Sequence, residues 1–398
     1  MPCARSAARR GSPDGSAPSP SNRTSGKRYD VTAPAQPSPE RPDLLVDALA
    51  KLGARYDAAP HFPVDSLRLL VRAGLHRRFA PMACGGERFA SPHDQARSMA
   101  LALRQVGRGD LSIGRLFEGH VNALLLFDWF ANPEQRAWLN EALGRGAWFG
   151  VWATEPAPGV AMSAAAPHVL SGEKHFASGA GGLDYALITI ACEGSERRLA
   201  IAPANDPERA DLTGWRVRGM RASVSGRYSV EGLCLSETTL LGAPGDYDRN
   251  PRFTAGAWRF CAVQLGGIEA LLAETRRLMR TAAREDPVQR ARFAQAAVAT
   301  RSAGFWVTEA ARRFADGAQD SIAVSRLARG VVEDAGFVVM EAAARILGTR
   351  SALDGERADK IIRDLSLYLR QAGPDHARDE AAKVLLDHDV WPEDDRLW

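Results

Sequence analysis

The hydropathy pattern of this 398-residue chain changes its period twice. From Leu44 to about Leu143 the apolar residues recur at helical spacing, between Trp148 and about Gly242 they alternate, and from Phe253 to Leu386 the helical spacing returns. A run of short strands therefore lies between two helical regions. We predict an α+β protein with an N-terminal helical domain, a central β-barrel-like or sandwich domain and a C-terminal four-helix bundle.

These changes of period set the expected domain boundaries. Residues 1–42 are rich in Pro, Ser, Gly and Arg, which predicts a disordered tail. The helical domain is expected over 43–147, the β-domain over 148–247 and the bundle over 248–398. The predicted strands are Trp148–Thr154, His168–Phe176, Tyr185–Ala191, Arg198–Ala202, Trp215–Arg218 and Arg227–Leu235. The predicted bundle helices are Ala262–Ala283, Val288–Ala315, Ser321–Leu347 and Ala358–Leu369.

Composition excludes several classes of function. The net charge is only +3 although the chain has 51 Lys and Arg residues, and no long basic run is interleaved with aromatic residues, so a nucleic-acid partner is not expected. The five cysteines are scattered without metal-ligand spacing, which predicts no metal site and a reducing compartment. No apolar run is long enough to span a membrane and no signal peptide is apparent, so a cytoplasmic protein is expected.

Two phrases of the β-region carry a family resemblance. Trp152-Ala153-Thr154-Glu155-Pro156 ends one predicted strand, and Gly172-Glu173-Lys174-His175-Phe176-Ala177-Ser178 forms the next. Together they resemble the flavin-binding β-domain of the acyl-CoA dehydrogenase superfamily. The resemblance extends over about Leu44 to Leu386 and implies the same three-part organisation.

The resemblance implies which residues hold a flavin. It places the hydroxyls of Thr154 and Ser178 against the flavin and the aromatic ring of Phe176 on the isoalloxazine. At the start of the bundle, Arg284 and Gln295 match an Arg and a Gln that reach the flavin of a neighbouring subunit in the family. The resemblance therefore implies FAD rather than FMN, and a homotetramer or homodimer.

The catalytic base of the superfamily is missing from this chain. Acyl-CoA dehydrogenation requires a carboxylate that removes the α-proton. Arg363-Asp364 matches the pair that precedes the usual glutamate, but the glutamate position is Ala372. The alternative base position lies directly before an arginine that matches Arg259, which we predict to bind substrate, and that position is Trp258.

The missing base leaves three functions open. The first is an FAD-dependent oxidoreductase that acts on an acyl thioester or a similarly activated small molecule, bound to CoA or to a carrier. The second is a monooxygenase of the same fold, in which reduced flavin reacts with oxygen and no α-proton is removed. The third is a catalytically silent binding protein. In the two enzymes, His120, His376 and Asp375 are the candidate catalytic residues.

Overall fold

A computed structural model describes residues 42–398, apart from 163–167, 193–195, 372, 392 and 398. The predicted tail, 1–42, therefore lies outside the described residues except for its last position. None of the described helices combines the length and the apolar character that a membrane span requires.

The N-terminal region is helical, as its hydropathy period predicts. Ser91 accepts a hydrogen bond from Asp94 N at the start of one helix, and Asp110 caps the next through Ile113 N at 2.9 Å. Asn132 and Gln135 form a reciprocal capping box at a third. The helices are α1 (Pro42–Ala58), α2 (Val64–Arg72), α3 (Pro92–Gly109), α4 (Leu111–Phe130) and α5 (Pro133–Gly144).

The central region forms two sheets. The strands are β1 (Phe149–Trp152), β2 (Ala161–Met162), β3 (Leu170–Ser171), β4 (Glu173–Ala177), β5 (Tyr185–Ala191), β6 (Arg197–Pro203), β7 (Ala210–Asp211), β8 (Gly226–Ser229) and β9 (Leu240–Leu241). The larger sheet has the order β3-β2-β5-β6-β9, and β1 pairs in parallel with β5 from Phe149↔Tyr185 to Trp152↔Ile188. The smaller sheet has the antiparallel order β4-β8-β7.

The predicted strand Trp215–Arg218 is wrong. Residues 215–218 belong to no strand. Trp215 N donates to Leu212 O at 3.0 Å, and the Trp215 indole donates to Met220 O at 3.3 Å, so this segment folds back on itself instead of pairing with a neighbour. The alternation of apolar and polar residues there reflects a loop with two half-buried side chains.

The C-terminal region is helical and confirms the predicted fold class. Its long helices α9 and α10 begin and end within one residue of the predicted positions. The helices are α6 (Arg252–Ala255), α7 (Trp258–Leu278), α8 (Thr281–Glu285), α9 (Pro287–Asp316), α10 (Ser321–Leu347), α11 (Arg357–Tyr368) and α12 (Pro374–Asp387).

The N-terminal and C-terminal helices pack so closely that they share one core. A Cβ added at Gly107 of α3 would lie 2.2 Å from Val263 O of α7, and a Cβ added at Gly266 of α7 would lie 2.1 Å from Arg104 O of α3. These two glycines allow the two helix backbones to touch. A single cluster of buried apolar residues consequently extends from α1 through both sheets to α11.

The Arg363-Asp364 pair fastens α11 to the loop before β8. Asp364 Oδ1 accepts a hydrogen bond from Met220 N at 2.6 Å, and Arg363 forms an ion pair with Asp57 of α1 at 2.6 Å. A Cβ added at Gly219 would lie 2.0 Å from Arg363 O, so only glycine permits this approach. The pair therefore positions the loop that forms one wall of the cavity described below.

Candidate functional site

A cavity of about 930 Å³ lies between the two sheets and the helical regions. Its walls come from α4, β1, β4, the loop 215–225, α7, α10 and the segment that joins α11 to α12. Five of the residues predicted from the sequence to bind flavin or substrate or to act in catalysis line it: Thr154, Phe176, Ser178, Arg259 and His376.

The β-sheet wall presents an aromatic ring to the cavity. The pairing of β4 with β8 shifts between Lys174 and Ala177, and within this bulge Phe176 has φ 51°. The bulge directs the Phe176 ring outwards, so that 67% of this residue is exposed although it belongs to a strand. An apolar ring in a concave site provides a platform on which a flat ligand can stack.

Beside this ring lies a chain of hydroxyl groups that the sequence analysis largely missed. Ser223 Oγ lies 2.9 Å from Ser225 Oγ, which donates to Ser178 Oγ at 3.0 Å. Two residues of the segment that carries Ser223 and Ser225 have positive φ, Met220 at 55° and Val224 at 38°. A β-branched residue with positive φ is a strained feature that tends to occur at functional sites, and this one lies between two cavity-lining serines.

The opposite wall carries a buried polar network on α4 and α7. Arg115 and Asn122 both donate to the Glu118 carboxylate, the arginine at 2.5 Å. Asn122 Oδ1 in turn accepts a hydrogen bond from Arg259 Nε at 2.6 Å. Burial lowers the pKa of Arg259 to about 10, so this guanidinium is still protonated at neutral pH.

Two further buried groups complete this end of the cavity. Arg329 of α10 donates to the carbonyls of Leu369 and Gln371 just after α11, which holds the end of that helix in place. The Tyr368 ring is 3% exposed, and burial raises the pKa of its hydroxyl. No sequence motif indicated these residues, because they lie on elements that are distant in the chain.

The structure does not bring His120 to the cavity, which corrects its prediction as a catalytic residue. The His120 ring is completely buried, with its centroid 4.9 Å from that of His76 and 4.4 Å from that of Trp148. Nδ1 accepts a hydrogen bond from Phe149 N at 3.1 Å, and Nε2 donates to His76 O at 2.8 Å. Both ring nitrogens therefore bind the backbone, and the histidine joins α4 to the start of β1.

The remaining catalytic candidates lie near the end of α11. His376 is exposed and lines the cavity, whereas the Asp375 side chain is fully exposed, contacts Arg378 at 3.5 Å and does not line the cavity. The prediction of Asp375 as a catalytic residue is therefore corrected. Ala372, at the position of the missing base, lies outside the described residues.

Arg284 and Gln295 lie on the surface, away from the cavity. Arg284 donates to Met279 O at 3.0 Å and to Arg276 O at 2.5 Å, so its side chain caps the end of α7 within its own subunit. Their predicted contact with the flavin of a neighbouring subunit stays a prediction.

Comparisons with known proteins agree with this architecture. Residues 249–380 match the family described as acyl-CoA dehydrogenase, C-terminal domain. The match covers 132 of the 398 residues of the chain. The predicted resemblance to the superfamily is thereby confirmed.

Among curated proteins, the chain is similar to dibenzothiophene monooxygenases. It is 27% identical over 203 residues to the protein of Rhodococcus qingshengii, which is 46% of this chain and 49% of that protein. It is also 27% identical over 163 residues to the protein of Mycolicibacterium goodii, or 36% and 37% of the two chains. The matches thus span at most about half the length of these relatives.

Solved structures share the fold over nearly the whole chain. FMN-bound TdsC from Paenibacillus sp. A11-2 superposes with a TM-score of 0.75 at 20% identity, covering 88% of this chain and 96% of that one. The methanesulfinate monooxygenase MsuC from Pseudomonas fluorescens gives 0.72 at 20% identity, covering 86% and 95%. Butyryl-CoA dehydrogenase from Megasphaera elsdenii also gives 0.72, at 16% identity, covering 86% and 96%.

Proposed function

We propose that this protein is a monooxygenase that uses reduced flavin to oxygenate a small molecule. The observation that carries this proposal is the state of the carboxylates in the cavity. Desaturation of an acyl thioester needs a carboxylate that is free to accept the α-proton, whereas oxygenation by a reduced flavin does not.

Only two carboxylates belong to the described lining residues, and both have partners. Glu118 is held by Arg115 and Asn122. Asp246 contacts Arg249 at 3.2 Å and accepts a hydrogen bond from Ala243 N at 2.8 Å. Each of these carboxylates is already engaged by a guanidinium, so neither is free to replace the missing glutamate.

The residues of the cavity fit a flavin. The exposed ring of Phe176 offers a surface for stacking, and the neighbouring Thr154 is also exposed and lines the cavity. Because Ser178 Oγ accepts its hydrogen bond from Ser225, its own proton is available to a ligand. The cavity volume of about 930 Å³ lies at the upper end of the range for small-molecule sites, which leaves room for a substrate beside a flavin ring.

A bound reduced flavin would supply the two electrons with which molecular oxygen gives one atom to the substrate and one to water. The chain itself would hold and surround the reactants. Trp152 donates to Ser178 O at 3.1 Å and so fixes the strand end that carries the hydroxyl, while Leu126, Trp129 and Phe260 provide an apolar wall. His376, at the exposed edge, is placed to exchange protons with solvent.

The relatives support the monooxygenase over the thioester oxidoreductase, because both the curated relatives and two of the structural neighbours carry monooxygenase names. TdsC has been seen with FMN, whereas Arg284 and Gln295 favour FAD through the family resemblance. FAD and FMN carry the same isoalloxazine ring, so either cofactor would bind to the same wall of the cavity. Extraction of the bound flavin followed by chromatography distinguishes the two.

Isotope transfer tests the proposal. The purified protein is supplied with FMN or FAD, NADH, a flavin reductase and ¹⁸O₂, together with indole, dibenzothiophene or methanesulfinate as probes. We expect a product that carries one ¹⁸O atom, formed only when the reductase is present. A parallel sample under argon receives butyryl-CoA, and its oxidised flavin is expected to keep its colour.

Two results would contradict the proposal. Bleaching of the flavin by butyryl-CoA under argon would instead indicate an oxidoreductase that acts on acyl thioesters. A protein that binds neither flavin, or that incorporates no ¹⁸O into any probe, would favour the binding protein without catalytic activity.

A further inference from the structure

One end of the cavity is cationic and lacks matching anions. The described lining residues include six arginines but only two carboxylates. Glu118 is paired with Arg115, and Asp246 with Arg249 outside the lining set. Arg326 likewise pairs with Glu380, outside the lining set, at 3.5 Å, so the cationic excess of the described lining rests on the other four arginines. The ionised lining residues are Arg115, Glu118, Asp246, Arg252, Arg259, Arg326, Arg329 and Arg370.

Arg259 is one of two arginines in this set that are almost fully buried. Its residue exposure is 7%, its one hydrogen bond within the described chain goes from Nε to the neutral Asn122, and its Nη1 atom is buried without a partner. The guanidinium carbon lies 5.4 Å from the Phe314 ring centroid and 5.8 Å from that of Trp258. These rings contribute some cation–π attraction, but they cannot replace a hydrogen-bond acceptor.

Arg329 and Tyr368 also have buried donor atoms without a hydrogen-bond acceptor among the described residues. Arg329 is 1% exposed and donates only to carbonyls, and its Nη1 atom has no partner among the residues described. The buried Tyr368 hydroxyl also lacks a hydrogen-bond partner among these residues. The guanidinium carbon of Arg329 lies 5.5 Å from the ring centroid of Phe260, the residue after Arg259, and Arg329 also donates to the carbonyl of Leu369, the residue after Tyr368, so the three groups lie at the same end of the cavity.

Three buried donors without acceptors at one end of one cavity require an explanation. Buried polar groups in native proteins are nearly always satisfied, and a buried charge without a counter-ion is costly. A ligand that brings an acceptor and a negative charge removes both penalties. A neutral apolar ligand at the same place would leave all three donors unsatisfied.

We propose that the substrate is a small organic anion whose oxyanion group, a carboxylate, sulfinate or sulfonate, binds to Arg259, Arg329 and Tyr368. The apolar part of the substrate lies along Leu126 and Phe260 towards the Phe176 ring. This inference rests on the proposed function, for which it specifies the substrate class. Arg115 keeps Glu118 neutralised, so that carboxylate does not repel the anion.

Binding measurements test this proposal without any turnover. The full-length protein, with and without FMN, is titrated with benzoate and benzenesulfonate and with their uncharged counterparts benzamide and benzenesulfonamide. Quenching of tryptophan fluorescence reports binding, because Trp129, Trp152 and Trp215 line the cavity. We expect each anion to bind roughly 10- to 100-fold more tightly than its amide, the range that follows from hydrogen bonds to charged groups.

Three variants identify the residues responsible. Arg259→Met is expected to abolish the preference for anions. Tyr368→Phe is expected to weaken anion binding several-fold while leaving the melting temperature unchanged or higher, since the hydroxyl it removes has no partner in the chain. Arg252→Gln removes the same charge from an exposed position in the lining, and we expect a change of less than about twofold.

The flavin phosphate is the other oxyanion that could occupy this end. If Arg259→Met weakened FMN binding but not riboflavin binding and left benzoate binding unchanged, the donors would serve the cofactor and the proposal would be overturned. Equal affinity for anions and amides would overturn it as well. Anion selectivity without ¹⁸O transfer would contradict only the monooxygenase, so the two proposals can fail separately.

Discussion

Because His76 and His120 are buried, we predict that this protein loses stability in mild acid. Both rings are 3% exposed or less, and burial lowers the pKa of His76 to about 4 and that of His120 well below its ordinary value of 6.5. His76, whose ring centroid lies 4.9 Å from that of His120, further lowers the pKa of His120, and the charge of Arg77 further lowers that of His76. His120 cannot accept a second proton without losing the bond from Phe149 N to its Nδ1 atom.

The direction in which stability changes with pH follows from proton linkage. The folded-state pKa values lie below the unfolded value, so the unfolded chain binds more protons between about pH 4 and pH 6.5. The stability that these histidines contribute is complete above pH 6.5 and is lost as the pH falls. One such group gives a slope of about 1.4 kcal/mol per pH unit, so a drop from pH 6.5 to pH 5 costs about 2 kcal/mol for His76, and His120 changes the stability in the same direction.

His120→Gln isolates one of the two contributions. The glutamine amide can donate to His76 O and accept from Phe149 N, but it does not titrate. Urea denaturation at pH 8, 6.5 and 5 should show that the free energy of unfolding falls less on acidification in the variant than in the wild type. His61→Gln, which changes an exposed histidine, is the control and should follow the wild type.

The same variant tests the corrected role of His120. Because the ring lies outside the cavity, the oxygenation rate of the folded variant at pH 8 should stay within about twofold of the wild-type rate. An unchanged acid slope together with a lost oxygenation rate would refute the reasoning, since it would mean that His120 titrates freely and faces the reactants.

Two further predictions concern packing and the cavity wall. Gly266→Ala places a methyl group 2.1 Å from Arg104 O and should lower the free energy of unfolding by about 1–3 kcal/mol or more, whereas Gly304→Ala, whose nearest neighbour is 3.9 Å away, should be neutral or stabilising in the same urea titration. Phe176→Ala should weaken flavin binding, followed by flavin fluorescence, by about 0.5–1.5 kcal/mol, and Phe305→Ala, a similarly exposed phenylalanine outside the cavity, should not. Equal effects of the two members of either pair would contradict the assigned contacts.

The fold was predictable where a local pattern determines the structure. The predicted helices Val288–Ala315 and Ser321–Leu347 correspond closely to α9 and α10, because a long apolar stripe has only one helical arrangement that buries it. The strand predicted at Trp215–Arg218 failed because four residues can alternate in polarity without a partner strand. The contact between Gly107 and α7 was not predictable, since a glycine in a helix does not indicate which backbone will approach it.

The residues of the candidate site were likewise predictable only where a local pattern indicates them. Thr154, Phe176 and Ser178 were found because they lie in two short phrases of characteristic spacing, at the ends of β1 and β4, and all three line the cavity. The phrase that contains Phe176 did not reveal the β-bulge that exposes its ring. Arg329 and Tyr368 were missed because long-range packing alone brings α10 and the end of α11 to one place.

The error at His120 could have been avoided with helix geometry. An α-helix turns by about 100° per residue, so side chains three or four positions apart share a face and side chains two positions apart do not. Arg115, Glu118 and Asn122 have this spacing, and the structure joins all three in one network at the cavity. His120 lies two residues beyond Glu118 and about 200° further around α4, where it must face Trp148 and the core. The phrase Glu118-Gly119-His120 thus contains one cavity residue, and its position relative to Arg115 and Asn122 identifies it as the glutamate.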